Sequence, residues 1–255
     1  MSGPLPLSLC VITRDAAGEI ADCLASAAFA GEVIVVDSGS RDDTVESARR
    51  RGARVIERDW PGYGAQKNFA VGEAAHDWVL CLDADERVTP ALEAAIRAAF
   101  EGGAPAAAGF RVARRNRFLG RWLAHGEGYP DWNVRLFDRR RARWSDDAVH
   151  EHVIADGPVA RLPGDLLHAS AESLDAYLAK QNRYTTLQAE AMHARGERAG
   201  PVRLVFAPIA RFVRFYFLRL GFLDGVPGLV HVAIGCQNSF LKYAKLRALQ
   251  AGQGR

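Results

Sequence analysis

Along the first hundred residues, apolar positions fall into two alternating periods. Leu7–Thr13 (LSLCVIT) and Glu32–Asp37 (EVIVVD) are short, nearly continuous apolar runs of the kind buried on both faces of a parallel sheet. Between them Ile20, Leu24 and Ala27 or Ala28 recur at helical spacing. After Asp37, Ser40 reads as a helix N-cap with Asp43 at the capping-box position and Gly52 as the stop. Residues 53–57 (ARVIE) predict a third strand, Gln66–Ala75 a helix and Asp77–Asp83 (DWVLCLD) a fourth strand. Thr89-Pro90, a capping residue followed by proline at the first helical position, opens a helix that stops at Gly102-Gly103. This alternation predicts an α/β fold built on a Rossmann-like, mostly parallel sheet.

The last third is of a different material. Glu172–Arg195 is helical in pattern, Gly200-Pro201 breaks it, and Val202–Leu220 starts again. At 100° per residue Val205, Ile209, Phe212, Val213, Tyr216, Phe217 and Leu220 share one side, and Arg203, Arg211, Arg214 and Arg219 the other. A helix lying in a membrane interface is built this way; an ordinary helical subdomain or a dimer interface would also use such a face. Gly225–Leu241 is the longest uncharged run, but it holds His231, Gln237 and Asn238 and falls short of the roughly 20 apolar residues of a spanning helix. The expected division is an α/β domain over residues 1–170 and a helical, membrane-associating region over 171–255.

Composition sharpens this picture in two places. Of 255 residues 49% are hydrophobic and 25% charged, which excludes disordered and fibrous classes. The four cysteines, Cys10, Cys23, Cys81 and Cys236, are widely spaced with no C-x-x-C pair, which argues against a disulfide framework or a zinc knuckle and fits a reducing, cytosolic setting. The start, MSGPLPLSLCVIT, has no basic n-region and reads as a first core strand rather than a signal peptide. The net charge is +3, yet from His193 onward ten Lys or Arg face two acids, so the rest of the chain is net negative. Such asymmetry suits a polyanion, either nucleic acid or an anionic membrane. The apolar face among these charges favours the membrane and argues against nucleic acid.

Candidate chemistry gathers where such sheets bind ligands, beyond the carboxyl ends of the strands. Thr13-Arg14-Asp15, Asp37-Ser38-Gly39-Ser40 and Asp83-Ala84-Asp85 all fall there. In an extended segment residues 83 and 85 point the same way, so two carboxylates could address one hard cation, Mg²⁺ or Mn²⁺, whose remaining ligands come from a diphosphate and water. The same D-A-D fits a solvated turn ahead of an acidic helix start. Gln66, Lys67 and Asn68 open a predicted helix, where free N–H groups and a cation can meet phosphates.

These strings carry a resemblance. VIVVDSGSRDDTVESARRRGARV, GYGAQKNFAV and WVLCLDADERVTPAL resemble family 2 glycosyltransferases of the GT-A fold. RRNRFLGRWLAHGEGYPDWNVRLF, VHEHV, QNRYTTLQAE and GFLDGVPGL resemble the lipopolysaccharide core-type β-glucosyltransferase subgroup. The resemblance covers nearly the whole chain. It implies an inverting, metal-dependent transfer of a hexose, glucose from UDP-glucose, onto a lipid-linked saccharide at the inner face of the cytoplasmic membrane. It further implies that Thr13 lines the base pocket, that Arg14 beside it takes part in donor binding, that Asp37 binds nucleobase or ribose, and that Gln66, Lys67 and Asn68 meet ribose and phosphates. Asp83 would reach ribose or metal, Asp85 the metal, and His168, after a short apolar strand, would be a late metal ligand. The base for the acceptor hydroxyl is Glu151 of VHEHV or Asp131 of YPDWN, with His150 and His152 flanking the former; either acid could instead be structural. Trp122, Tyr129, Trp132 and Trp144 offer rings for sugars or for the core. One departure stands out: the family's T-x-N-E is here Thr13-Arg14-Asp15-Ala16, which removes one ribose or base contact.

Other classes fit less well. A haloacid-dehalogenase phosphatase has threonine or valine where Arg87 follows the second acid, and a nucleotidyltransferase opens on a glycine-rich loop that this chain lacks. A catalytically silent sugar-nucleotide-binding scaffold on the membrane is permitted by Ala16, but intact Asp83, Asp85 and Glu151 weigh against it.

Overall fold

The computed structural model describes residues 3–147, 151–169 and 173–252. The chain divides into two compact units: Met1–Arg114 with Trp132–Ala169, and Arg115–Asp131 with Ser170–Arg255. One passage between the units falls at 169–170, and Arg115–Asp131 group with the helices of the second unit.

The first unit begins with the expected alternation: β1 (Leu5–Thr13), α1 (Ile20–Ser26), β2 (Ala30–Asp37), α2 (Thr44–Arg50), β3 (Arg54–Glu57), α3 (Tyr63–Gly72) and β4 (Trp78–Asp83). β5 (Glu86–Val88), α4 (Pro90–Ala99), β6 (Gly109–Phe118), β7 (Arg121–Trp122), β8 (Asp131–Asp138), β9 (Ala142–Trp144), β10 (Val153–Ala155) and β11 (Val159–His168) follow along the chain, of which the end of β6 from Arg115, β7 and Asp131 fall in the second unit. The large sheet runs β3-β2-β1-β4-β8-β6-β11-β5, with β7 beside β6; β9 and β10 form a separate ribbon. β3, β2, β1 and β4 are mutually parallel, and beyond them β8 pairs with β4, and β5 with β11, in antiparallel fashion.

The period of two explains why β1 and β4 are apolar throughout. Leu7, Leu9 and Val11 pack with Trp78, Leu80 and Leu82 against Ile20, Leu24, Leu92 and Ile96 on one face. Cys10, Val79 and Cys81 pack with Ala70 and Val71 of α3, and with Ala74 just after it, on the other. Each fully buried leucine stabilises the unit by about 1.5–3 kcal/mol, and Leu9→Ala would cost about 2–5 kcal/mol. All four cysteines are free thiols. Register then aligns the strand ends: Thr13 lies opposite Asp37, and Ile12 opposite Asp83.

Two boundaries follow local chemistry. Thr89 Oγ1 accepts the Leu92 N–H at 3.3 Å ahead of Pro90, as the sequence indicates. α2, by contrast, opens at Thr44 instead of after Ser40. The Ser40 hydroxyl is engaged elsewhere, donating to Asp37 Oδ1 at 2.5 Å and accepting the Asp15 N–H at 2.8 Å, so Ser40 and Asp43 form no capping box.

The second unit holds α5 (Leu174–Ala194), α6 (Pro201–Phe212), a π-helical stretch Val213–Leu218, a 3₁₀ turn Gly221–Asp224 and α7 (Gly225–Gly252). Its core is small, with Ala189, Met192, Ala199, Tyr243 and Leu246 buried together. On α6 and the π stretch the apolar row Val202, Val205, Phe206, Ile209, Val213, Phe217 and Leu218 faces outward. Arginines of the same stretch turn to the unit itself: Arg211 pairs with Glu127, and Arg203 lies 5.1 Å from the Tyr243 ring. Among the described residues no single helix is long and apolar enough to cross a membrane; Pro201–Leu218 and Gly221–Gly252, meeting at 72°, pass only as a bent pair.

Candidate active site

The β4–β5 connection does not stay extended through D-A-D. A turn at Ala84-Asp85 separates Asp83, the last residue of β4, from Glu86, the first of β5. The two acids consequently acquire different protein partners, and the extended geometry expected for residues 83–85 is replaced by a turn.

Asp83 is held by fixed cations. Arg135 Nη2 of β8 donates to Asp83 Oδ2 at 2.8 Å and to Glu86 Oε1 at 2.5 Å. Lys67 Nζ of α3 lies 3.1 Å from Asp83 Oδ1. Glu86 is fully buried; its Oε2 accepts the Asp83 N–H at 3.1 Å, and Arg114 reaches its Oε1 at 3.5 Å. Burial by itself would raise the Asp83 carboxyl, but Arg135 and then Lys67 outweigh it and hold the group well below the usual carboxylate range. Burial likewise opposes the charge on Arg135, and Glu86 and Asp83 overcome it, so its guanidinium is held still more firmly protonated.

Lys67 also carries the link to Glu151, with Nζ 2.9 Å from Oε1. Its ammonium is nearly buried and sits 4.4 Å from the centroid of Trp144, itself a core residue. Glu151 thus joins the strand-end acids through one lysine. Asp131 opens β8 and belongs to the second unit. His150 lies outside the described residues. His152 takes part in the loop, its N–H donating to Ser145 Oγ at 3.1 Å.

Asp85 is matched with His168, the last residue of β11, at 3.2 Å between Oδ2 and Nε2. Burial would raise the Asp85 carboxyl, while the hydrogen bond and charge of His168 pull it lower. A carboxylate oxygen and an imidazole nitrogen are both donors that Mg²⁺ or Mn²⁺ accepts, so these two residues would be the ones to hold such an ion. Among the described residues no group of three or more His, Cys, Asp or Glu side chains is arranged to hold a metal. Asp83, expected as a third ligand, has each carboxylate oxygen on a protein cation instead.

The expected nucleotide residues divide likewise. Thr13 is buried, and its Oγ1 has no hydrogen-bond partner among the described residues, so that hydroxyl can serve a ligand. Arg14 is exposed, 3.7 Å from Asp15. Asp37 is buried and shapes its own loop, accepting the Gly39 and Ser40 N–H groups at 2.9 and 2.8 Å. Gln66 is fully buried, donating to Ser38 Oγ at 3.1 Å and accepting from Arg58 at 3.3 Å. Its own N–H is bonded to Gly62 O at 3.0 Å, so the helix offers no free N–H there. Asn68 clamps Trp144 from both ends, donating to its carbonyl at 3.0 Å and accepting its N–H at 2.9 Å. The amides of Gln66 and Asn68, both expected to meet the nucleotide, are engaged in this scaffolding.

Gly64 explains the glycine within GYGAQKN. A Cβ there would lie 2.1 Å from Ser145 O, so α3 can approach the β9–β10 loop only without a side chain. Sequence reasoning passed over Arg135 and Glu86 as site residues. The available signal was a charge between Val134 and Leu136 in a strand otherwise fit for the core, which requires a buried acid as partner.

Comparison with known proteins agrees with this arrangement. Residues 8–154 match the family described as Glycosyl transferase family 2. The chain is 31% identical to the lipopolysaccharide core biosynthesis glycosyltransferase LpsC of Rhizobium meliloti, covering 98% of this chain and 95% of that protein. It is 30% identical to an uncharacterized glycosyltransferase of Rickettsia typhi, over 95% and 87% of the two chains. In three dimensions it is similar to glucosyl-3-phosphoglycerate synthase of Mycobacterium tuberculosis in complex with phosphoglyceric acid, with a TM-score of 0.50, 17% identity, and coverage of 76% and 81%. A parallel βαβ half extended by antiparallel strands, carrying its acids at the strand ends, is a GT-A arrangement, and the chain belongs to glycosyl transferase family 2.

Proposed function

We propose that this glycosyltransferase moves a hexose, glucose from UDP-glucose, with inversion, onto a lipid-linked saccharide of the lipopolysaccharide inner core. The observation that carries the reading is Lys67 bridging Asp83 and Glu151, with Asp85, on the turn that follows β4, paired to His168 at the end of β11. The similarity to LpsC, whose name places it in lipopolysaccharide core biosynthesis, supports the acceptor class.

In this reading Thr13 and the Asp37 loop receive the nucleoside, and Lys67 turns toward the diphosphate when the donor arrives. Asp85 and His168 would hold Mg²⁺ or Mn²⁺, which neutralises charge growing on the departing diphosphate. Glu151 takes the proton of the acceptor hydroxyl as its oxygen bonds to the anomeric carbon; the bond from that carbon to the phosphate oxygen breaks, and its electron pair leaves with UDP. Asp131 is the second candidate for the base. Glu151→Gln and Asp131→Asn, made separately and assayed for transfer and donor binding, decide: the base is the residue whose loss stops transfer while donor binding persists. If both variants retain activity, neither acid is the base.

The enzyme works at the inner face of the cytoplasmic membrane, attached without spanning it. The outward apolar row Val202, Val205, Phe206, Ile209, Val213, Phe217 and Leu218 supports this attachment. Fractionation at low salt, high salt and in detergent tests it; recovery wholly in the soluble fraction at low salt would refute it.

A further inference from the structure

Three guanidinium groups of one helical segment converge on a single ring. The Cζ atoms of Arg211, Arg214 and Arg219 lie 5.4, 5.4 and 5.8 Å from the Phe215 centroid. One carboxylate, Glu127, pairs with Arg211, its Oε2 3.1 Å from Nε. Arg219 donates to the Tyr129 carbonyl at 3.4 Å, and Arg214 is exposed. Among the described residues no acid pairs with Arg214 or Arg219, so the cluster keeps an excess of positive charge. Asp224, the other acid of this region, is buried and accepts the Ala124 and His125 N–H groups at 2.9 and 2.8 Å.

The backbone brings these cations together. In an α-helix residues five apart point about 140° away from one another. Here Val213–Leu218 is π-helical, and the Arg219 N–H bonds to Arg214 O at 2.9 Å, a five-residue step that returns both arginines to one side. A π turn is rare and costs helix regularity, and such turns recur at functional sites. Like charges gathered in this way are favourable when an anion sits among them, and guanidinium forks suit phosphate oxygens. The same segment exposes Val213, Phe217, Leu218 and Leu220, with Phe222 and Leu223 just after. A free phosphate has no use for that apolar surround, whereas a phosphate at a lipid boundary does.

We infer that Arg214 and Arg219, backed by Arg211 on Phe215, form a binding site for the phosphate headgroup of an anionic phospholipid. This rests on the membrane reading above and adds to it a headgroup preference with named residues. The test is flotation of the full chain with vesicles of phosphatidylcholine alone and of an equal mixture with phosphatidylglycerol, alongside Arg214→Gln and Arg214→Gln/Arg219→Gln. The wild type is expected to bind the anionic vesicles about twentyfold more tightly than the neutral ones. The double variant should lose most of that preference while retaining its binding to neutral vesicles; Arg214→Gln, at an exposed position, guards against a folding artefact and should lose part of it. Equal binding of wild type to both vesicles, or an undiminished preference in the double variant, overturns the headgroup site and leaves membrane attachment standing. Binding to neither vesicle overturns both. Displacement from anionic vesicles by millimolar inorganic phosphate at constant ionic strength would show a site for free phosphate and sink the lipid assignment.

Discussion

Lys67 and Glu151, 84 residues apart in sequence, meet at 2.9 Å, and the same ammonium touches Asp83 at 3.1 Å. A buried cation between two acids from different parts of the chain closes the loop carrying Glu151 over the strand ends. Lys67→Met would leave both acids without that partner. Since Glu151 and Asp83 keep some solvent, the expected loss is about 2–3 kcal/mol, below the full cost of breaking a buried pair. Lys67→Arg should recover part of it. Urea unfolding of the three proteins is the check, and equal stability of Lys67→Met and wild type would refute the tie.

Arg135 and Glu86 are more deeply buried, so the expected penalty is larger. Arg135→Met should destabilise by about 3–5 kcal/mol, because it strands the carboxylate of Glu86 in the interior. Adding Glu86→Gln removes that charge and should restore about half. A double-mutant cycle in urea gives the coupling, and strictly additive losses would mean that the two do not act as a pair.

Asp85 and Asp83 should separate in a metal titration. With a nucleoside diphosphate present, Asp85→Asn and His168→Gln are each expected to weaken Mn²⁺ binding about 100-fold, and Asp83→Asn far less. Calorimetry reads this directly, and a larger loss in Asp83→Asn would overturn the assignment of the two acids.

Stability should fall with acid in two stages. His231 is half-buried against the rings of Phe118 and Tyr177, at 5.1 and 6.4 Å. Burial, aided by Arg211 and opposed by Glu127 and Asp224, lowers its pKa in the folded chain. The unfolded chain therefore takes up this proton first, and stability declines as pH drops below about 6.5. His231→Phe should flatten the slope between pH 7 and the folded value. Asp83 and Asp85, whose carboxyls are also lowered, stabilise the fold above their ordinary pKa of about 3.9, and that contribution disappears as pH falls through their folded values. Thermal unfolding across pH 3–8 tests both stages, and an unchanged midpoint between pH 7 and pH 5 in wild type would refute the first.

Gly64→Ala tests the close approach of α3 to the loop at Ser145. With the added carbon 2.1 Å from a carbonyl oxygen, backbone must shift, and a loss of about 1–3 kcal/mol is expected. Gly72→Ala, where a Cβ meets nothing within 4 Å, is the control and should be neutral or slightly stabilising. Similar melting temperatures for the two variants would contradict the packing.

The strands β1, β2 and β4 were legible because their burial on both faces leaves a continuous apolar run, and the cap at Thr89-Pro90 because its chemistry is local. The acids at the strand ends were legible for the same reason. Their partners were not, since Arg135 reaches Asp83 from a strand that begins 48 residues later and pairs antiparallel with β4. The turn at Ala84-Asp85 was not legible either, since the alternation of an extended segment was assumed across it. Gln66 and Asn68 read as ligand contacts from their place at a predicted helix start and from the family resemblance; that their amides are engaged by Ser38, Arg58 and Trp144 depends on segments distant in sequence. The outward row of α6 was visible as a face; which way that face turned depended on the unit's small core, and no periodicity carries that.

That row has a practical consequence. If the proposed membrane attachment holds, Val202, Phe206, Ile209 and Leu218 will seek one another between molecules in plain aqueous buffer, and an oligomer seen by gel filtration would then reflect the absence of a bilayer rather than the working assembly. Sizing repeated above the critical micelle concentration of a mild detergent distinguishes the two, and inhibitor screens run without amphiphile would select for compounds that merely disperse the aggregate.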